Sequence, residues 1–188
     1  MFAVAIDDDL ALRLYERRDA EALYDLVEAN RDLLERWFPW TEGTRGPDDT
    51  RAFIEDGLRR FAAGNGFECG IVEKGRLVGT LGLHFVTRPE GVTEMGYWLD
   101  EDAQGRGLVT RSVAGLLPHL FGTMDLNRVE IRADPANDRS RAVPERLGFR
   151  QEGVLRQVGL RSGHRYDHAV YALLRDEWRA GRDATAET

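Results

Sequence analysis

Cysteine is almost missing from this chain: the 188 residues hold one, Cys69. No internal disulfide can form, a reducing compartment is natural, and a lone thiol is more often core filler than nucleophile. Basic excess is missing too. Lysine and arginine number 26 against 33 acidic residues, a formal net charge of −7. A nucleic-acid footprint wants the opposite sign, so no nucleic-acid partner is expected. The balance suits an amine substrate, although solubility accounts for most of it. No apolar run approaches the length of a bilayer span, so no membrane partner is expected. Asp7, Asp8 and Asp9, with no basic residue before an apolar run, do not read as a secretory signal. A cytoplasmic location follows by default. There is no Gly-x-x-x-x-Gly-Lys-Ser/Thr loop, and Gly105-Arg106-Gly107-Leu108-Val109-Thr110 lacks the third glycine of a dinucleotide fingerprint. His84 has no metal-spaced partner, so no metal is expected. No repeat or linker divides the chain. A single domain over residues 1–188 is expected, with its core at about 10–178 and a frayed polar end from about Arg179.

The residues that are present alternate between two periods. Leu10, Leu12 and Leu14 read as a first strand. Asp19 reads as the cap of a helix carrying Leu23, Leu26, Val27, Leu33 and Leu34, with a break near Asn30. Pro39 ends that helix within the aromatic cluster Trp37, Phe38 and Trp40. Such a cluster serves either core packing or a pocket wall, and left exposed it permits a homodimer. Asp48 or Asp49 opens a second helix with Phe53, Ile54, Leu58 and Phe61. Strands follow at Phe67–Glu73, Leu77–Val86 and Val92–Leu99, the first two joined by the tight turn Lys74-Gly75-Arg76. A helix carries Val109, Val113, Leu116, Leu117 and Leu120, and Pro118 should kink or end it. Val129, Ile131 and Ala133 mark a strand, Asn137 caps a short helix, and Phe149–Val158 and Arg165–Leu174 close the chain. Mostly antiparallel strands with few helices define an α+β fold.

The stretch from Glu94 to Val113 organises the rest. It reads as a strand, a glycine-rich turn and a helix start. Unpaired N–H groups and the dipole of a helix start suit an anion. Two glycines by themselves are weak evidence, since ordinary strand–helix connections carry them too.

Three segments agree in order and spacing with a known family. Gln104-Gly105-Arg106-Gly107 resembles the start of the acetyl-CoA-binding motif of the GNAT N-acetyltransferases. Met95-Gly96-Tyr97-Trp98-Leu99 resembles the strand before it. Asn137-Asp138-Arg139-Ser140, followed by Leu147-Gly148-Phe149, resembles the family's later segment. The Trp37–Trp40 cluster and the tail Leu155-Arg156…Gly163…Asp167…Tyr171 are similar to the RimJ/RimL-type branch, which acetylates N-terminal amines of ribosomal proteins. The resemblance spans about Leu10 to Trp178. It implies the GNAT fold, with a central sheet splayed between two neighbouring strands and helices flanking it.

It also implies roles. Acetyl-CoA would be the cosubstrate. Its pyrophosphate would meet the N–H groups from Gln104 through Gly105, Arg106, Gly107, Leu108 and Val109 to Thr110. Its pantetheine arm would pair with Met95–Leu99. Asn137, Arg139 and Ser140 would complete the cofactor side. Two departures stand out: Val109 where the family has glycine or alanine, and Pro144 where the wider superfamily has a tyrosine acid. The RimJ/RimL-type branch uses a serine instead, which Ser140 matches, to protonate the leaving sulfur. Pro144 should distort the helical turn around Ser140. Trp37, Phe38, Trp40, His84 and Glu94 would face the acceptor, a peptide N-terminus or a small amine. At pH 7 an α-amine is roughly 15% neutral and a lysine about 0.04%, so an N-terminal acceptor needs only a modest base. Glu94 is the first candidate, and His84 and Asp167 are weaker ones, Asp167 being expected to be structural. The segment Val158-Gly159-Leu160 offers no carboxylate where the branch can place one. Small-amine transfer and a non-catalytic acyl-CoA-binding module are the alternatives.

Overall fold

The computed structural model describes residues 3–186. Its strands are β1 (Ala3–Ala5), β2 (Leu10–Leu14), β3 (Phe67–Glu73), β4 (Arg76–Thr87), β5 (Val92–Leu99), β6 (Arg128–Ala133), β7 (Arg150–Arg161) and β8 (His164–Leu174). Its α-helices are α1 (Ala20–Ala29), α2 (Arg31–Glu35), α3 (Pro47–Ala62), α4 (Leu108–Pro118), α5 (Asp138–Arg146) and α6 (Arg175–Ala186). The strands form one sheet in the order β1-β2-β3-β4-β5-β6-β8-β7. All neighbours are antiparallel except β5 and β6, so the α+β class holds.

Local chemistry explains most boundaries. Asn30 separates α1 from α2, as its position suggested. Lys74 and Gly75 both take positive φ, the combination that a two-residue hairpin turn requires between β3 and β4. α4 ends at Pro118 and passes into a π-helical turn over His119–Thr123, because the proline nitrogen cannot continue the ladder. Asp19 does not cap α1 with its side chain. Its carboxylate accepts the Glu16 N–H at 2.7 Å and pairs with Arg13 at 2.8 Å. β1 and α6 were not foreseen. β1 is three residues long, and α6 lies where a frayed end was expected, with Trp178 stacked 5.3 Å from Phe121.

Two cores hold the sheet. The larger joins Leu81, Leu83, Met95, Val113, Leu117 and Ile131 on the α4 side. The smaller lies under α1 and α3 and includes Tyr15, Leu23, Val27 and Ile54. The buried Tyr15 hydroxyl is satisfied by Thr80 at 2.7 Å, which lets a polar group sit in that core without penalty.

Two irregularities in this frame position the site. Pairing between β5 and β6 covers Val92–Met95 against Arg128–Ile131 and then stops. β5 continues to Leu99 on β4, and β6 continues to Ala133 on β8, so the two diverge. The splay implied by the family resemblance is therefore present, with its apex at Met95 and Ile131. The second irregularity is a bulge in β4. Leu83 pairs with Met95 and Phe85 with Glu94, leaving His84 as the extra residue.

Candidate active site

A cavity of about 830 Å³ opens at the splay. Met95, Gly96, Tyr97 and Trp98 line it from β5, Glu94 and His84 from the strand ends beside them, and Asn137 and Ser140 from α5. Trp37, Phe38 and Trp40 form a wall. Phe38 lies 5.6 Å from Trp40, and Trp40 lies 6.3 Å from Trp98. Of the two readings of that cluster, both apply: Phe38 packs on the smaller core, while Trp40 remains 40% exposed on the cavity side.

The glycine turn stands apart from the cavity lining and leads into α4. Gly105 and Gly107 take φ of +76° and +72°, which an L side chain resists. Leu108 is buried and Val109 packs against the core, so both side chains turn inward. Gly107 caps α4 without a side-chain bond, leaving the first N–H groups of the helix available. Arg139 donates to Gln104 at 2.6 Å, and Gln104 donates to the Leu99 carbonyl at 3.3 Å. These bonds tie α5, the turn and the end of β5 together. Arg106 is paired with Glu73 at 2.8 Å, and Thr110 is partly buried at the head of α4.

Asn137 caps α5, accepting the Ser140 N–H at 3.1 Å. Pro144 sits four residues after Ser140 and has no N–H to give the Ser140 carbonyl. The Tyr97 hydroxyl donates to that carbonyl instead, at 2.9 Å. The turn remains helical through Arg146, so the interruption appears in the hydrogen bonding rather than in the path of the chain. Burial pushes the Tyr97 phenol well above its usual value, so it stays a donor. The Ser140 hydroxyl lines the cavity and makes no hydrogen bond among the described residues.

On the opposite wall, the Glu94 carboxylate is engaged at both oxygens. His84 Nδ1 lies 3.1 Å from Oε1 and Arg132 Nε lies 3.1 Å from Oε2, the latter as an ion pair without hydrogen-bond alignment. Burial opposes the charge on Glu94, but His84 and Arg132 outweigh it and hold its pKa below the usual range. The same hydrogen bond raises the His84 pKa against its partial burial.

Several cavity residues gave no signal in the sequence. Glu68 is buried on β3, where burial raises its pKa although Arg60 pairs with it at 2.9 Å. Arg161, outside the cavity lining, joins the β7–β8 hairpin to the Trp37 carbonyl and to Asp134, each at 3.1 Å. Tyr166 and His168 also face the cavity, and burial lowers the His168 pKa. Asp167 accepts the Gln157 N–H at 2.7 Å, where the β7–β8 register shifts between Leu155 and Gly159, a structural bond. Gly159 lies under Tyr166, and a Cβ there would sit 2.1 Å from the ring. Among the described residues no group of three His, Cys, Asp or Glu side chains is arranged for a metal, and no helix is long and apolar enough to cross a membrane.

A sheet opened between parallel strands, beside a glycine turn and a bare helix start, is the arrangement that the GNAT resemblance implies. The family model described as acetyltransferase (GNAT) domain matches residues 9–150. The chain belongs to the GNAT acetyltransferase family and is an N-acetyltransferase. It is 36% identical over 179 residues to the putative ribosomal N-acetyltransferase YdaF of Bacillus subtilis, covering 95% of this chain and 98% of that one. It is 25% identical to the ribosomal-protein-serine acetyltransferase of Escherichia coli, over 92% and 97% of the two chains. Its fold matches RimL, a ribosomal L7/L12 alpha-N-protein acetyltransferase solved with coenzyme A, at a TM-score of 0.90 and 26% identity over 94% and 99% of the chains.

Proposed function

We propose that this enzyme transfers acetyl from acetyl-CoA directly to a primary amine, and that the amine is a protein N-terminus of the ribosomal-protein type. The observation that carries the reading is the splay at Met95 and Ile131, which opens the free side of β5 into a cavity with Ser140 on one wall and Glu94 on the other. The β5 backbone beyond Met95 is suited to a peptide-like pantetheine arm, by the logic of strand addition. The first N–H groups of α4 are suited to the pyrophosphate. The Val109 side chain turns into the core, which keeps its branches away from that anion.

In this reading the amine attacks the thioester carbonyl, and backbone N–H groups near Met95–Trp98 stabilise the oxyanion. The Ser140 hydroxyl gives its proton to the departing sulfur. The Glu94 wall receives the acceptor. No acyl-enzyme is required, and Cys69 takes no part: it is buried in the core, where burial pushes its thiol up to about 12. The kinship with ribosomal-protein acetyltransferases supports the N-terminal acceptor. So does the small neutral fraction of a lysine, which would demand a stronger base.

The test is acetyl-CoA turnover against peptide and small-amine libraries, with mass spectrometry of the products. Transfer to peptide N-termini and not to small amines is the expected result. The reverse would assign a small-molecule enzyme. Stabilisation by acetyl-CoA without any transfer would leave a binding module. Ser140→Ala is expected to lower turnover more than it weakens acetyl-CoA binding.

A further inference from the structure

We propose that His84, through Nε2, is the group that takes the proton from the attacking amine, and that Glu94 is its positioning residue. The proposal rests on the acetyltransferase reading above.

Three observations place that nitrogen. First, His84 is the extra residue of the β4 bulge, opposite no partner on β5. A regular strand would alternate His84 with Leu83 and Phe85; a bulge re-aims the side chain it carries. Second, the ring lies on Gly96. A Cβ built on Gly96 would stand 2.4 Å from His84 Nε2 and 2.8 Å from Cε1, so only glycine leaves room for the imidazole there. Gly96 is the first β5 residue beyond the end of β6 pairing, where the sheet opens. Third, Nδ1 is committed to Glu94 at 3.1 Å while the side chain remains half-exposed to the cavity. Neutral His84 therefore carries its proton on Nδ1 and presents a lone pair on Nε2 at the mouth of the splay.

Glu94 is poorly placed to act directly. Oε1 is committed to His84, and the Arg132 guanidinium beside Oε2 helps hold its pKa low, which makes it a weaker base. A carboxylate held this way orients an imidazole and favours its charged form. The charged groups acting on His84 are Glu94 from β5, Glu68 from β3 and Arg60 from α3. The two carboxylates outweigh the guanidinium, so the imidazole is a better base than a free one.

The step balances. The amine nitrogen forms a bond to the thioester carbon, and its proton passes to Nε2 of neutral His84. Collapse breaks the carbon–sulfur bond, and the sulfur takes a proton from water, or from Ser140, which water then reprotonates. His84 then returns its proton to solvent.

The experiment measures kcat against pH for the unaltered enzyme, His84→Gln, Glu94→Gln and His168→Gln, on one peptide with an N-terminal serine. Ionisation of the peptide amine is common to all four, so differences between the curves belong to the protein. NMR titration of the His84 ring accompanies it. His84→Gln is expected to lower kcat by about 100-fold, the lower end for a general base. It should leave the KM for acetyl-CoA unchanged and remove one ionisation from the acidic limb. Glu94→Gln should move that limb, and the NMR titration with it, to lower pH. His168→Gln should keep the limb. If His84→Gln retains the rate and profile, or if His168→Gln is the variant that loses the limb, the proposal is overturned while the enzymatic reading stands. If the unaltered enzyme acetylates neither this peptide nor any other amine, both fall together.

Discussion

Replacing Tyr97 by phenylalanine removes one oxygen, and its effect should depend on a residue 47 positions away. The Tyr97 hydroxyl donates to the Ser140 carbonyl at 2.9 Å. That carbonyl lacks its regular i+4 donor, because residue 144 is proline. Removing a typical net hydrogen bond costs about 1 kcal/mol, and stranding a buried acceptor raises this to roughly 1–3 kcal/mol. Ser140 is only partly buried, so water relieves some of the loss and the lower end applies. About 1 kcal/mol corresponds to a fall in Tm of about 2–4 °C for a chain of this size. Pro144→Ala restores a backbone N–H that can bond to Ser140. In that background Tyr97→Phe should cost little. Thermal or urea unfolding of the two single variants and the double variant gives the coupling, expected at about 0.5–1 kcal/mol. Equal cost of Tyr97→Phe in both backgrounds would refute the idea that the phenol stands in for the missing N–H.

Other outcomes follow from close contacts and charges. Gly82→Ala places a Cβ 1.9 Å from Glu68 Oε2 and should displace the buried Glu68–Arg60 pair, lowering stability by about 3 kcal/mol in urea unfolding. Gly96→Ala should leave the fold intact by circular dichroism yet cut kcat, since its Cβ would displace the His84 ring. The His84–Glu94 pair should also stabilise the fold over a defined pH window. The lowered Glu94 pKa gives a contribution present above 4.5 and lost in acid, and the raised His84 pKa one present below 6.5 and lost as pH climbs through the folded value. The Tm difference between the unaltered protein and His84→Gln should therefore peak between these values, and a flat difference would remove the pair from the account.

The strand alternation at Val129, Ile131 and Ala133 and the break at Asn30 were legible because side-chain period and local chemistry agree there. The order of elements around the glycine turn was legible for the same reason. β1 is too short to show a period. α6 is mostly polar, and what anchors it, Trp178 on Phe121, pairs residues 57 positions apart in the chain. Within the site, Ser140, Asn137 and Glu94 could be named from motif and position. His84 could be named only as a weaker candidate base, because Leu83-His84-Phe85 reads as regular alternation and the bulge exists only in the pairing with a neighbour. Pro144 could be read as damage to a helix, but not its remedy, since that comes from Tyr97 on β5. Glu68 reads as an ordinary strand residue, because the Arg60 that pairs with it comes from α3.

The parting of β5 from β6 also bears on how long the protein lasts. Beyond Met95 the β5 backbone is laddered on its β4 side alone. A ligand that pairs with the other side finishes the sheet, and by mass action stabilises the fold by RT ln(1 + [L]/Kd), about 2.7 kcal/mol at a hundredfold excess over Kd. Amide exchange at Gly96–Leu99 should slow when acetyl-CoA is added. If acetyl-CoA is that ligand, the resistance of the protein to proteolysis should rise with its concentration.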